Sequence, residues 1–209
     1  MAQRSGTPFE RSVFFNCPFD RAYLPILHAV LFTIHDCGFI ARTALEEVGA
    51  NTSRLDKINR LIRESCYSVH DLSRVKITRA SPLPRFNMPL ECGLAMGAML
   101  YLPKTSVPRD LLFLSAEPYE DKKTISDLDG LDGAYHRNQP ELAIQAVRGF
   151  LAAKVRARGA QAILRRFRLF ERQLPVIAQR AEISTREITS LKYVVEWLRF
   201  AAEWQSRTP

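Results

Sequence analysis

Over the first three-quarters of the chain, short apolar runs alternate with polar turns and with stretches at helical spacing. Residues 12–15, Ser-Val-Phe-Phe, predict a buried strand that Pro18 ends. Leu24, Leu27, Val30, Leu31 and Ile34 line up on one helical face. A helix is therefore expected over 24–37, with Pro25 in its first turn and Gly38 closing it. A second strand follows over 39–45. Residues 54–65 predict an amphipathic helix, with Leu55, Ile58, Leu61 and Ile62 inside and Arg54, Lys57, Arg60 and Arg63 outside. Residues 66–72 supply a third strand. The loop 73–86, with Pro82 and Pro84, is long enough to cover a site. Then come a small-residue helix to about 102, an apolar strand over 110–115 and a polar, helical segment over 119–128. A short edge strand over 133–136 and a helix over 141–157 complete the alternation. This order predicts an α/β fold, a parallel sheet with helices on both faces.

The tail changes character. Ile163, Phe167, Phe170, Leu174 and Ile177 repeat at spacings of four and three, with Arg165, Arg166, Arg168 and Arg172 mostly on other faces. A second helix is expected from 184 to about 205, opened by a Ser184/Glu187 capping box. It carries Ile188, Leu191, Val195 and Leu198 beside a stripe of Tyr193, Trp197, Phe200 and Trp204. So wide an apolar face needs a cover: the first domain, another copy of the chain, or a partner protein. The expected division is an α/β domain over 1–155 and a basic helical hairpin over 156–209, used for oligomerisation or for binding a partner.

Charge sharpens that division. Residues 1–150 hold 18 Lys/Arg and 17 Asp/Glu, whereas 151–209 hold 12 and 5, so the tail carries +7 of the net +8. A basic face suits nucleic acid or an acidic partner, and is as readily a solvated surface. No run approaches the ~18–20 apolar residues of a membrane span, and the first residues lack the apolar core of an export signal. A cytoplasmic protein with reduced, mostly buried Cys17, Cys37, Cys66 and Cys92 is expected. His28, His35, His70 and His136 show no metal-ligand spacing, which leaves them core or rim roles. Neither G-x-G-x-x-G nor G-x-x-x-x-G-K-[ST] occurs.

The segment Arg85-Phe-Asn-Met-Pro-Leu-Glu91-Cys-Gly-Leu-Ala-Met-Gly97 holds the candidate chemistry. Pro89 suits a first helical turn and Asn87 an N-cap, so Glu91 is placed near the mouth of an otherwise uncharged helix. Poor solvation there favours proton binding, and the helix N-terminus favours the anion. Such a carboxylate serves as nucleophile, base or ribose-hydroxyl acceptor; a surface glutamate resting on its own helix dipole is the plain alternative. If the first and third strands are parallel neighbours, Asn16, Asp20 and Asp71 sit at their carboxyl ends, where open α/β sheets bind ligands.

Asn16-Cys-Pro-Phe-Asp20, His70-Asp-Leu-Ser73 and the Glu91 helix together resemble the superfamily of Toll/interleukin-1 receptor (TIR) domains and nucleoside 2-deoxyribosyltransferases. Similarity covers roughly residues 11–155. Its most specific part is the E-x-G-x-A pattern, met by Glu91, Gly93 and Ala95. The resemblance implies a flavodoxin-like, doubly wound sheet of about five strands. It also implies Glu91 as catalytic carboxylate, with Asn16, Phe19, Asp20, Asp71 and Asn87 binding substrate. Deoxyribosyltransferases usually carry an aspartate just before the catalytic glutamate, where this chain has Arg85, Phe86 and Asn87. Nicotinamide leaves NAD as a neutral molecule without a proton donor, whereas a neutral nucleobase leaves better protonated. The leaving-group argument favours an NAD-cleaving N-glycosidase with NAD as substrate and no cofactor, and the resemblance implies one activated by assembly in bacterial antiviral defence. Nucleoside or nucleotide glycosidase or transferase activity stands as one alternative, and a non-catalytic nucleotide-binding or scaffold module as another.

Overall fold

Five short strands, all parallel, take up apolar runs read from the sequence and form one sheet in the order β2-β1-β3-β4-β5. The computed structural model describes residues 6–46, 52–74, 86–105, 107–118, 125, 128 and 132–208. In chain order the elements are α1 (Pro8–Arg11), β1 (Ser12–Asn16), α2 (Leu24–Asp36), β2 (Ile40–Arg42), α3 (Arg54–Glu64), β3 (Tyr67–Asp71) and α4 (Asn87–Tyr101). Then follow β4 (Asp110–Ser115), β5 (Gly133–Tyr135), α5 (Pro140–Ala152), α6 (Ala160–Arg180), α7 (Thr185–Ile188) and α8 (Val194–Arg207). The fold is α/β and doubly wound, as expected. The chain steps one way from β1 to β2 and the other way from β1 through β3 and β4 to β5, so its direction switches between β1 and β3.

The contacts separate a sheet unit, Gly6–Pro18 with Ile40–Asn138, from a helical unit that includes Phe19–Phe39 and Gln139–Pro209. In the sheet unit, β1 and β3 are buried at every position, with apolar or small residues along most of each strand and polar Asn16, His70 and Asp71 at their carboxyl ends. Strand β2 is shorter than the expected 39–45. Ser53 caps α3 by accepting the Asp56 amide at 3.1 Å, and Ile58, Leu61 and Ile62 pack with Phe14 and Ala95. Helix α4 buries Met88 and Cys92 with Leu72 and Phe113. It starts at Asn87 after an uncapped Phe86, so Asn87 is the first helical residue and not the N-cap. The expected lid with Pro82 and Pro84, and most of 119–128, lie outside the described residues.

The helical unit gathers α2, α5, α6, α7 and α8. Of the three covers expected for the tail, the first domain is the one observed over its tryptophans. Trp197 is 1% exposed, stacked on His28 with ring centroids 4.1 Å apart, and it meets Phe170 edge-on. Trp204 donates from Nε1 to Gln173 and packs near Phe32 and Phe170. Gln205 donates to the Phe32 carbonyl at 3.0 Å. Trp197 and Trp204 are thus covered by the chain's own α2 and α6, while Tyr193 and Phe200 of the same stripe stay half-buried. Arg166, expected on an outer face, is buried: its Nε bonds Asp36 at 2.8 Å, Nη1 bonds the Thr208 carbonyl, and the guanidinium lies over Trp204. The single helix expected from 184 breaks at Thr189–Ser190. The Thr189 hydroxyl bonds back to the Thr185 carbonyl, and Ser190 turns extended before a 3₁₀ turn, the competition such side chains offer a helix interior.

Trp197→Ala is expected to destabilise the protein by about 3–5 kcal/mol in urea unfolding, the cost of an unfilled core site. A loss below about 1 kcal/mol would return the stripe to the surface.

Candidate active site

The carboxyl ends of β1 and β3 meet at the switch point, with Asn16 paired in register to His70. The Asn16 amide is buried and its nitrogen makes two bonds, to the Met88 carbonyl at 3.0 Å and to His70 Nδ1 at 3.1 Å. Because Met88 offers only an acceptor, the amide nitrogen must face it, and both N–H groups are then used. His70 Nδ1 therefore accepts and its ring proton sits on Nε2. Burial pushes the His70 pKa down to about 3, so the ring is neutral near pH 7. One side chain ties β1 to β3 and to the first turn of α4.

A second buried group closes the next stretch of the rim. Asp71 Oδ1 accepts the Ser73 amide at 2.9 Å, and His136 Nε2 lies 2.8 Å from Asp71 Oδ2 and 3.0 Å from Ser73 Oγ. His136 Nδ1 accepts the Asn138 amide at 3.0 Å, which places the ring proton on Nε2. Serine, histidine and aspartate are all present, yet this is no nucleophilic triad. Serine and aspartate address the same nitrogen, and the other is occupied, so no ring nitrogen is left to take the serine proton. Asp71 and His136 are both fully buried.

Glu91 lies one turn beyond Met88, 3% exposed. Arg54, the first residue of α3, reaches it with Nη2 at 3.1 Å from Oε1. Burial raises the Glu91 pKa above the ordinary glutamate value and the Arg54 charge and hydrogen bond pull it partly back. A carboxylate held in this balance has lost water without gaining full ionic compensation, the condition that makes it reactive toward a proton or a developing cation. Neighbouring Cys92 is no rival nucleophile, since burial pushes its thiol up to about 12. All four cysteines are buried thiols.

The structure thus joins Asn16 and the α4 entry directly, and puts Asp71 on the neighbouring strand and Glu91 on the same helix. Asn87 is exposed at the helix start. Phe19 and Asp20 belong to the helical unit, where Asp20 caps a 3₁₀ turn by accepting the Tyr23 amide at 3.0 Å. Arg54 escaped the sequence reading, though an isolated glutamate in an uncharged helix signals a need for such a cation. Cavities of about 330 and 430 Å³ lie beside 99–109 and between Arg21 and Leu191; neither lining includes Glu91. Among the described residues no cluster of three His, Cys, Asp or Glu side chains is placed to hold a metal ion. No protein-family model matches the chain, and no curated protein matches it. No helix among the described residues is long and apolar enough to cross a membrane.

Asp71→Asn sets an amide N–H against either the Ser73 N–H or the His136 N–H. A loss of about 1–3 kcal/mol in stability is expected from that buried mismatch. An unchanged unfolding midpoint would show that the Asp71 contacts are dispensable.

Proposed function

We propose that the chain is an N-glycosidase that breaks the nicotinamide–ribose bond of NAD, with Glu91 as its catalytic carboxylate. The observation that carries this reading is a buried carboxylate, raised in pKa, on the helix that enters at the switch point of a 2-1-3-4-5 parallel sheet. Glycosidic cleavage passes through an oxocarbenium-like state, which a carboxylate beneath the sugar stabilises or captures. Nicotinamide leaves as a neutral molecule, so no second acid is required. Asp71 and Asp20, the candidate proton donors to a nucleobase, both hold structural hydrogen bonds. That weighs for NAD over deoxyribosyl transfer. The resemblance to TIR domains and nucleoside 2-deoxyribosyltransferases points the same way, and suggests a bacterial defence effector that depletes NAD once assembled.

The Arg54–Glu91 pair is equally what a non-catalytic nucleotide-binding or scaffold module would keep. Incubation with NAD and, separately, with deoxynucleosides distinguishes the readings by what is released: nicotinamide, a free base, or nothing. Glu91→Gln keeps size and hydrogen bonding but removes the charge. It is expected to slow nicotinamide release about 100-fold or more while the protein stays folded. A glutamine variant with wild-type turnover would end the catalytic assignment.

The pH profile gives a further check. Glu91 acts as the anion, so activity falls as pH drops through its pKa. Arg54 holds that pKa down, and its removal in Arg54→Ala is expected to move the acid limb of kcat/KM to higher pH. A limb that stays put or moves lower would separate Glu91 from the observed titration.

A further inference from the structure

Where the last helices of the helical unit break, a cavity of about 430 Å³ opens with two arginines and two hydroxyls in its lining. Arg21, Leu24 and Pro25 line it from the start of α2 and the 3₁₀ turn before it. Arg186 of α7 and Thr189, Ser190 and Leu191 of the break line it from the other side. All seven belong to one compact unit, and none is acidic. The volume falls within the ~300–1,000 Å³ of small-molecule sites. Each arginine adjoins an acid that a turn has already claimed: Asp20 accepts the Tyr23 amide, and Glu187 closes the Ser184 capping box. Neither Arg21 nor Arg186 forms an ion pair among the described residues.

We propose that this cavity binds a small soluble phosphate monoester, its phosphoryl group held by Arg21 and Arg186 and its apolar body against Leu24, Pro25 and Leu191. Two guanidinium groups on one cavity repel each other, and a dianion with three free oxygens matches both forks at once. A carboxylate ligand carries one charge and leaves one arginine unmatched. A cationic ligand finds no carboxylate in the lining. Ser190 adds a neutral donor: it is half-buried, its side chain does not cap the 3₁₀ turn it starts, and its hydroxyl makes no hydrogen bond among the described residues. Thr189 gives its own proton to the Thr185 carbonyl, so its oxygen is left to accept from a ligand hydroxyl. The apolar side chains are what bare phosphate would leave uncovered, and they call for an organic body on the ester. The proposal does not depend on the glycosidase reading.

Calorimetric titration of the full chain with phenyl phosphate and with inorganic phosphate tests the proposal. Phenyl phosphate is expected to bind at least about tenfold tighter than inorganic phosphate, because only the ester covers the apolar wall. Arg21→Gln and Arg186→Gln are each expected to weaken phenyl phosphate about tenfold or more, and Ser190→Ala about threefold. Arg165→Gln with Arg172→Gln removes the same kind of charge from exposed positions of α6 outside the cavity, and is expected to change affinity by less than about twofold. All five sites are exposed or half-buried, so melting temperatures are expected to hold. Phosphatidic acid vesicles carry the same monoester on a surface and are expected to pellet wild type and Arg21→Gln alike. Pelleting that Arg21→Gln abolishes would give the site to a lipid headgroup and overturn the soluble ligand. No phenyl phosphate binding up to about 5 mM, affinity indifferent to Arg21→Gln and Arg186→Gln, an equal loss in the α6 pair, or no preference for the ester would each overturn the proposal.

Discussion

Where two parallel strands end at a switch point, polar groups are forced into a place with little water, and each must find a partner or cost stability. In this protein the Asn16 amide meets part of that constraint, joining three segments, while His70 Nε2 has no hydrogen-bond partner among the described residues. Its two N–H groups reach His70 on β3 and the Met88 carbonyl at the start of α4. The tautomer of His70 and a tie to the first turn of α4 both rest on this single side chain. The Asp71–His136–Ser73 cluster continues the same solution towards β5, with the Asn138 amide fixing the last tautomer. Rim residues of a type associated with chemistry, Asp71, Ser73 and His136, are here held in structural hydrogen bonds.

The helical unit obeys the same rule with larger groups. Asp36 and Arg166 are both buried, and the pair lies beside Trp204 and the Thr208 carbonyl, with Arg158 Nε 3.6 Å from the second carboxylate oxygen. Removing either partner would strand a buried charge, which makes the pair a register mark for α2, α6 and α8 more than a source of stability. The basic tail is therefore not wholly a surface feature: one of its arginines is internal.

Periodicity made most elements legible. The apolar runs at 12–15, 66–72 and 110–115 are strands β1, β3 and β4, and the parallel α/β order followed from their alternation with helices. What periodicity cannot specify is what covers a face. The stripe through Trp197 and Trp204 reads the same whether it meets a partner or the chain's own Phe32 and Phe170. Nor does it specify what stays open: α4 carries almost no charge, yet its Leu90, Leu100 and Tyr101 face water. Local competition was equally hard to weigh: Thr189 and Ser190 break a helix that the capping box at Ser184 opens correctly. Glu91 stood out because charge was scarce around it. Its partner Arg54 sits 37 residues away, and its contact depends on how α3 packs against α4.

The account turns on Glu91 being a carboxylate that burial has made reluctant to ionise, held only in part by Arg54. A carbon-13 NMR titration of its side-chain carboxyl measures that state without any assumption about substrate. The midpoint is predicted to lie above that of an ordinary glutamate, about 4.3, and to rise further in Arg54→Ala. A midpoint at or below the ordinary value would mean that the ion pair, not burial, governs Glu91, and would contradict the account.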